Sequence, residues 1–316
     1  MRNWLYDSGL KTAVSYDFPV ICVGNLSVGG TGKTPMIEYL IRLLKNHYKV
    51  ATLSRGYGRR TSGFQMADLD SNAMTIGDEP FQFYNKFKDV LVAVDADRRN
   101  GIKAIKSNHD PEVILLDDAF QHRSVNAGLN ILLTSYGNLY SNDILLPTGD
   151  LREPRTGADR ADVIVVTKCP KDVSEEKKAN IIKSLKPLPK QDVFFSWIYY
   201  DEFVYGDCSK TRLNSICGLE VSVVTGIANP ATFVQYLSST IGDFKHFRFK
   251  DHHRFSDGEI MLLQKQELII TTEKDYARLL PRLKNTNTIL YYLPIRFVID
   301  KGTTFKESIL KFVNSY

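Results

Sequence analysis

Six short apolar runs in the first half of the chain constrain its fold more than any other feature. Each is five to seven residues long, rich in Val, Ile and Leu, and continuous rather than alternating with polar residues. Strands that are buried on both faces have this pattern, because helices cover both sides of a parallel sheet. The runs are VICVG (20–24), VATLS (50–54), VLVAVD (90–95), VILLDD (113–118), NILLTS (130–135) and DVIVVTK (162–168).

The segment between the first two runs has a helical pattern. In PMIEYLIRLLKN (35–46) the apolar residues Ile37, Leu40, Ile41 and Leu44 recur at the spacing of one helix face. A strand, a helix and a second strand in this order form a βαβ unit, so the repeated pattern predicts an α/β fold with a mostly parallel sheet flanked by helices. Only about ten residues separate VILLDD from NILLTS, too few for a helical crossover. We expect that connection to be irregular and to reach into a site.

The sequence changes in character after Lys168. VFFSWIYYDEFVYG (193–206) is dense in aromatic and β-forming residues and predicts a hairpin or linker strand. A second α/β unit begins at EVSVVTGIANPATFVQYL (220–237). We predict a P-loop nucleotide-binding domain over 1–170, a linker with a β-hairpin over 171–215, and a smaller α/β domain over 216–316.

Composition excludes several classes of protein. Among 316 residues, 43% are apolar and 24% charged, which is typical of a folded globular chain. The four cysteines form no C-x-x-C pair, which argues against a zinc site or a disulfide framework. No apolar run is long enough to cross a bilayer. The net charge of +5 is mild and the basic residues are dispersed, so we expect no nucleic-acid partner.

The stretch VGNLSVGGTGKTP (23–35) resembles a phosphate-binding loop, although Ser27 replaces the first glycine of the common G-x-x-x-x-G-K-[ST] pattern. Its glycines allow the backbone to curl so that amide groups point at phosphate oxygens, and the following helix directs its positive end to the same place. Lys33 would add a charge toward the outer phosphates, and Thr34 a hydroxyl ligand for Mg²⁺. The predicted nucleotide-binding residues are Gly29, Gly30, Thr31, Gly32, Lys33 and Thr34.

One position argues against a related class. ATPases that partition DNA carry a lysine immediately before the two glycines of this loop, and Val28 stands there instead. A metal-binding carboxylate is expected at the end of VILLDD, where Asp117 and Asp118 follow a buried strand. Two adjacent acids repel each other unless a cation lies between them. We therefore predict a metal site formed by Thr34, Asp117 and Asp118.

Nine short blocks occur in a characteristic order along the chain. They are VGNLSVGGTGKTP, SRGYGR (54–59), GDEP (77–80), DADR (95–98), LLDDAFQHR (115–123), LREP (151–154), TGIANP (225–230), KDHH (250–253) and TTEKD (271–275). Together they resemble the tetraacyldisaccharide 4′-kinase family, the lipid A 4′-kinases. The resemblance implies ATP-dependent phosphorylation of the 4′-hydroxyl of a tetraacylated glucosamine disaccharide 1-phosphate, at the cytoplasmic face of the bacterial inner membrane. It also implies a P-loop domain and a smaller α/β domain joined by a two-stranded linker.

The resemblance implies a catalytic pair as well. By pattern alone, Asp78 in TIGDEP is a helix-capping acid. The family instead makes the aspartate of this block catalytic, together with a histidine that corresponds here to His252; His253 is the alternative. A carboxylate that orients an imidazole yields a proton acceptor. Because the two residues lie in different predicted domains, we expect a site in the cleft between the domains, with closure on substrate.

Further residues are candidates for substrate contact. We expect Arg98, which follows a strand end, to reach a phosphate and act in catalysis. Arg55 and Tyr57 lie in the basic turn SRGYGRR, which is either a contact for the 1-phosphate, headgroups and sugar or a solvated basic loop. The predicted substrate-binding set is Asn25, Arg55, Tyr57, Glu79, Gln121, His122 and Arg152.

Family members usually begin with a hydrophobic helix, followed by a segment like RNWLYDSGLKTAVSYDFPVICVGN. Here that segment directly follows Met1, so we expect peripheral contact with the membrane surface, through groups such as Trp4, Leu5 and Tyr6. We also expect a monomer.

TKCP (167–170) and TTEKD faintly resemble the base-reading motif of GTPases without completing it. A competing hypothesis is a regulatory nucleotide switch or metallochaperone ATPase, which would need the phosphate loop and Asp117 but neither Asp78 nor His252.

Overall fold

The computed structural model describes residues 2–207, 209–251 and 253–316, and the chain divides into two compact units. The larger unit comprises 1–198 and 297–316, and the smaller comprises 199–296. The helices are α1 (Arg2–Asp7), α2 (Lys33–Leu44), α3 (Ala73–Ile76), α4 (Asp78–Lys86), α5 (Arg98–His109), α6 (Glu175–Leu185), α7 (Ala231–Ile241), α8 (Asp257–Leu263), α9 (Glu273–Leu283) and α10 (Gly302–Val313). The strands are β1 (Val20–Asn25), β2 (Val50–Ser54), β3 (Gln65–Met66), β4 (Leu91–Val94), β5 (Val113–Asp117), β6 (Leu129–Ser135), β7 (Val163–Thr167), β8 (Asp192–Tyr200), β9 (Phe203–Tyr205), β10 (Lys210–Arg212), β11 (Val221–Thr225), β12 (Lys245–Arg248), β13 (Leu268–Thr271), β14 (Ile289–Tyr292) and β15 (Ile295–Ile299).

The sheet of the larger unit has the strand order β15-β8-β7-β6-β1-β5-β2-β4-β3. The pairs from β8 to β4 are parallel, and β3 is antiparallel to β4. All six apolar runs are strands of this sheet, and β1, β2, β5 and β7 are buried along their whole length. The predicted α/β class with a mostly parallel sheet is confirmed.

Two cores cover the two faces of this sheet, because successive residues of a strand point to opposite sides. On one face, Ile21 and Val23 of β1 pack with Ile37 of α2, Phe83 of α4 and Phe305 of α10. On the other face, alternate residues of β1 and β5 pack with apolar side chains of α5 and α6. Helices on both sides explain why these strands have no polar face in the sequence.

The larger unit extends beyond the predicted first domain. Segment 171–198 belongs to it because β8 pairs in parallel with β7, with Asp192 opposite Val163. The last twenty residues return to it because β15 lies beside β8 in the sheet and α10 buries Phe305 and Ile309. The antiparallel pair within the predicted linker is β9–β10, and it lies in the smaller unit.

The smaller unit contains a sheet of order β10-β9-β14-β13-β11-β12, in which β12, β11, β13 and β14 are parallel. Apolar residues of α7 cover one face and those of α8 and α9 the other. No helix in the described part of the chain is both long and apolar enough to cross a bilayer.

Candidate functional site

The phosphate loop (residues 27–34) connects β1 to α2. Gly29 and Gly32 have φ angles of 91° and 90°, in the left-handed region that glycine adopts without steric cost. Gly32 occupies the N-cap position of α2 and no side chain caps the helix there. The first backbone amides of α2 therefore need acceptors from outside the helix, which is the condition for anion binding at a helix start.

Lys33 and Thr34 are the first two residues of α2, and both are half-buried. The Lys33 Nζ donates to Asn25 Oδ1 over 3.4 Å and lies 3.8 Å from Asp118 Oδ1. Thr31 is buried, and its carbonyl oxygen accepts a hydrogen bond from the Thr167 hydroxyl at 2.7 Å. The loop is thus attached to the end of β7 while its lysine lies beside the acidic pair.

Asp117 ends β5, in register with Val23 of β1. Its Oδ2 accepts a hydrogen bond from Ser54 Oγ at 3.2 Å, but its buried Oδ1 has no hydrogen-bond partner among the described residues. Burial and, to a smaller extent, the negative charge of Asp118 together raise the pKa of Asp117 to about 7. A buried carboxylate oxygen without a donor is what a divalent cation would satisfy, so Asp117 fits the predicted role of metal ligand.

Asp118 has a different environment. Arg152 donates to both of its carboxylate oxygens, over 2.9 Å and 3.3 Å. Although burial opposes it, Lys33 and Arg152 lower the pKa of Asp118. Arg152 also donates to the Asn25 carbonyl at 3.0 Å and to the Asn25 side-chain oxygen. Asp118 is therefore an ionised group held by cations, and Asp117 is the acid with an open oxygen.

A second layer supports Asn25, and part of it was missed from the sequence. Gln121 donates to the Asn25 carbonyl and to Glu153 Oε1, each over 2.8 Å. Glu153 is buried and accepts two hydrogen bonds from Arg160, at 2.8 Å and 2.9 Å. The signal for Glu153 was present in the LREP block, where only Arg152 was selected. As expected, the segment between β5 and β6 is irregular, and its Gln121 reaches this site.

Arg152 provides the first testable prediction. We expect Arg152→Ala to slow phosphate transfer roughly 10- to 100-fold, the usual cost of losing a group that orients a site residue. Without Arg152, Lys33 is the remaining ion-pair partner of Asp118 among the described residues. The Asp118 carboxylate would then draw the ammonium group of Lys33 away from phosphate. Arg152→Lys should recover part of the rate, because it keeps the charge without the planar fork.

Steady-state kinetics with ATP as the varied substrate measures this effect. The matched control is Arg155→Lys, since Arg155 is an exposed neighbour whose Nε donates to the Asp143 carbonyl at 2.8 Å. Equal rates for Arg152→Ala and the control would contradict the assignment.

Asp78 begins α4, followed by Glu79, and both are half-buried. The residue at the N-cap position is Gly77, so Asp78 is not itself the N-cap. Gly77 lies against the basic turn (residues 55–60): a Cβ placed on it would lie 3.1 Å from both Gly56 Cα and the Tyr57 carbonyl oxygen. The start of α4 and the basic turn therefore adjoin each other, and the charge of Glu79 makes a smaller contribution to the raised pKa of Asp117, after those of burial and Asp118.

In the basic turn, Arg55 follows β2 and is exposed, and the Tyr57 side chain is 73% exposed. His122 is half-buried and lines a cavity of about 470 Å³ together with Tyr6 and Arg123. The side chains of three candidates for substrate contact are thus accessible: Arg55, Tyr57 and His122.

Arg98 does not occupy the position expected of a catalytic group. It is fully buried, and its guanidinium donates to the carbonyls of Asp95, at 2.6 Å, and Asp117, at 3.0 Å. Burial lowers its pKa. Because the side chain turns back under the strand ends instead of toward solvent, we correct its role: Arg98 holds the carboxyl end of β5 in place.

His252 lies outside the described residues. Its neighbour His253 is held within the smaller unit, where Nε2 lies 3.0 Å from both carboxylate oxygens of Glu259 and the ring stacks on Phe249 at 4.7 Å. Hydrogen bonds from Ser256 and from His253 lower the pKa of Glu259 to about 2. His253 is therefore engaged by a carboxylate of its own unit, and the predicted pairing of His252 with Asp78 stays a prediction.

The TTEKD block has a structural role in the smaller unit. Asp275 is fully buried and accepts hydrogen bonds from the Gly226 amide at 2.8 Å and from the Thr272 hydroxyl at 2.7 Å. It therefore fixes the TGIANP turn to the start of α9.

The chain is similar to known proteins of one family. The family model described as tetraacyldisaccharide-1-P 4′-kinase matches residues 1–314. The chain is 52% identical to the tetraacyldisaccharide 4′-kinase of Flavobacterium johnsoniae, with 99% of this chain and 92% of the relative covered. It is 42% identical to that of Bacteroides fragilis, with coverage of 99% and 89%. A crystal structure of LpxK from Aquifex aeolicus in complex with ATP has a TM-score of 0.80 and 30% identity, covering 99% of this chain and 94% of that one. The chain therefore belongs to the tetraacyldisaccharide-1-P 4′-kinase family.

Proposed function

We propose that the chain transfers the γ-phosphate of ATP to the 4′-hydroxyl of a tetraacylated glucosamine disaccharide 1-phosphate, at the edge of the larger sheet where β1, β2 and β5 end. As a member of its family, the chain is a lipid-sugar kinase of lipid A synthesis. The observation that carries the assignment of the site is the open, buried Oδ1 of Asp117 beside the phosphate loop. Nucleotide phosphates and a divalent cation are ligands that would fit this arrangement.

The phosphate loop binds the nucleotide. The amides at the start of α2 donate to phosphate oxygens, and Lys33 places its ammonium group against the outer phosphates. Asp117 and Thr34 would hold Mg²⁺, with Asp118 beside them, and the ion would neutralise charge on the transferring group. Lys33 and Asp118 form an ion pair at 3.8 Å without a hydrogen bond, because Arg152 donates to both carboxylate oxygens of Asp118. Lys33 is thereby kept available for phosphate.

Asp78 and His252 supply the base. Asp78 orients the His252 imidazole, which takes the proton of the sugar 4′-hydroxyl as its oxygen forms a bond to the γ-phosphorus. The bond between that phosphorus and the oxygen bridging to the β-phosphate breaks, and ADP leaves. Asp78 belongs to the larger unit, and His252 belongs to the sequence of the smaller one.

The acceptor meets the residues near Asp78. Arg55 offers an exposed cation for the 1-phosphate, and the exposed ring of Tyr57 offers a surface for the sugar. Three further residues complete the proposed substrate-binding set. Two come from the irregular segment after β5, Gln121 and His122, and the third is Glu79 of α4. Exposed Trp4 at the first helix suits peripheral contact with the cytoplasmic face of the inner membrane, where a monomer would meet its lipid substrate.

A transfer assay tests this function. The protein is incubated with ATP, Mg²⁺ and the disaccharide 1-phosphate in detergent micelles, and the product is analysed by mass spectrometry and phosphorus NMR. We expect one phosphate to be added at the 4′ position, with ADP formed in equal amount. An acceptor that lacks the 1-phosphate should react with a higher KM, because Arg55 loses its partner.

The same assay separates the competing hypothesis. A regulatory nucleotide switch or metallochaperone would hydrolyse ATP without phosphorylating the lipid. ATP consumption with no phosphorylated lipid would therefore contradict the proposed function.

A further inference from the structure

Lys168 follows β7 directly and has an unusual backbone conformation. Its φ angle is 57°, in the left-handed region that lysine seldom adopts. The side chain is exposed, and among the described residues it has no hydrogen bond and no carboxylate within ion-pair distance. Residues kept in such a conformation cluster at ligand sites, so the surroundings of this lysine are informative.

The end of β7 lies against the phosphate loop. Thr167 donates its hydroxyl to the Thr31 carbonyl at 2.7 Å, and a Cβ placed on Gly32 would lie 3.6 Å from the Thr167 Cβ. A Cβ placed on Gly30 would lie 4.0 Å from the Lys168 Nζ. The Lys168 ammonium group thus lies over the middle of the loop, and Thr167 secures the loop from beneath.

The phosphate loop therefore has two ammonium groups beside it, those of Lys33 and Lys168. Desolvation lowers the pKa of Lys168, and the positive charge of Lys33 lowers it further. Lys33 has Asp118 as an acidic neighbour at 3.8 Å, whereas Lys168 has none among the described residues. Two neighbouring cations, of which only Lys33 has a carboxylate nearby, favour the binding of an anion.

We propose that Lys168 is a second nucleotide-binding lysine, whose ammonium group contacts the part of the nucleotide that ATP and ADP share. Lys33, at the first position of α2, faces the outer phosphates, while Lys168 approaches the loop earlier, at Gly30. Lys168 therefore adds affinity for both nucleotides and does not act in the transfer step. This inference rests on the nucleotide role proposed above for the loop.

Isothermal titration calorimetry on the full chain tests the inference with Lys168→Met and Lys168→Arg. We expect Lys168→Met to raise the Kd of both ATP and ADP by about tenfold or more, the value of a charge-assisted hydrogen bond. Lys168→Arg should stay within about threefold of the wild type because it keeps the charge. The kcat at saturating ATP should not change, since the contact is the same in the ground state and the transition state.

The matched control is Lys186→Met. Lys186 is also an exposed lysine of the larger unit with a left-handed backbone (φ 50°), at the end of α6. The same substitution there controls for any effect on backbone strain. Without nucleotide, Lys168→Met should unfold at no lower temperature than the control, because the change removes a cation that repels Lys33.

Each outcome of these titrations is decisive. Unchanged affinity in Lys168→Met, or weaker binding of ATP alone, overturns the inference. A Lys168→Met variant that binds normally while Lys33→Met loses binding leaves the proposed function intact. A wild-type chain that binds neither ATP nor ADP contradicts the proposed function itself.

Discussion

Asp117→Asn is expected to slow phosphate transfer by about a thousandfold or more, and to abolish the response of the protein to Mg²⁺. The carboxylate is buried, and its Oδ1 has no other partner among the described residues. An amide has nearly the same shape but no charge, so the variant keeps the packing and loses the ligand. The expected factor corresponds to about 4 kcal/mol of lost transition-state stabilisation.

The pH dependence of stability provides an independent measure of the same group. The pKa of Asp117 is raised by burial, and then by Asp118, from 3.8 to about 7. The folded chain therefore holds this proton more tightly than the unfolded chain, so the group favours folding at low pH. That contribution declines as the pH rises from the ordinary pKa of the group, 3.8, to its pKa of about 7 in the folded chain. Without divalent ions, we expect the wild type to lose up to a few kcal/mol relative to Asp117→Asn between about pH 4 and pH 8.

Thermal unfolding across this pH range, with and without Mg²⁺, is the measurement. Mg²⁺ should raise the unfolding temperature of the wild type at pH 8 and leave that of Asp117→Asn unchanged, because only the ionised carboxylate binds the ion. Asp162→Asn is the control, since Asp162 precedes β7 at the opposite edge of the sheet and accepts from the Asn130 amide at 2.8 Å. An Asp117→Asn protein that Mg²⁺ still stabilises as it does the wild type would remove Asp117 from the metal site.

The sheet and the phosphate loop could be predicted because their signals are local. A strand covered on both faces is apolar on both faces, and β1, β5 and β7 are each free of polar side chains up to a polar last residue. A loop that binds phosphate needs glycines at particular φ angles, and Gly29 and Gly32 supply them. In both cases one segment of sequence contains the whole physical requirement.

Features that depend on distant pairing could not be predicted. The extent of the larger unit depends on β15 lying beside β8 and on α10 returning to the core, which no local pattern reveals. The position of Arg98 depends on the direction in which its side chain leaves the start of α5. Toward solvent it would reach a ligand; in fact it reaches the Asp117 carbonyl at 3.0 Å. Lys168 was visible only as part of an incomplete base-reading motif, and its significance depends on the proximity of Gly30.

Asp78→Asn is expected to lower kcat roughly a thousandfold, within the range that a general base contributes, while the Kd of ATP changes by no more than about threefold. The nucleotide is held by the amides and lysine of the phosphate loop, and neither is altered. An asparagine at the first position of α4 preserves the shape of Asp78 but does not favour an imidazolium beside it. Asp89→Asn is the control, because Asp89 follows the same helix and makes an exposed ion pair with Lys45, at 2.7 Å.

His252→Ala should cause a similar loss, and the double variant decides whether the two residues form one base. If Asp78 acts through His252, the double variant should be no slower than the slower single variant, since residues that act as a unit are not additive. Losses that multiply would instead assign the two residues to separate steps. His253→Ala should be close to wild type, because that ring is held by Glu259 at 3.0 Å. A large loss in His253→Ala with a normal His252→Ala would exchange the roles of the two histidines.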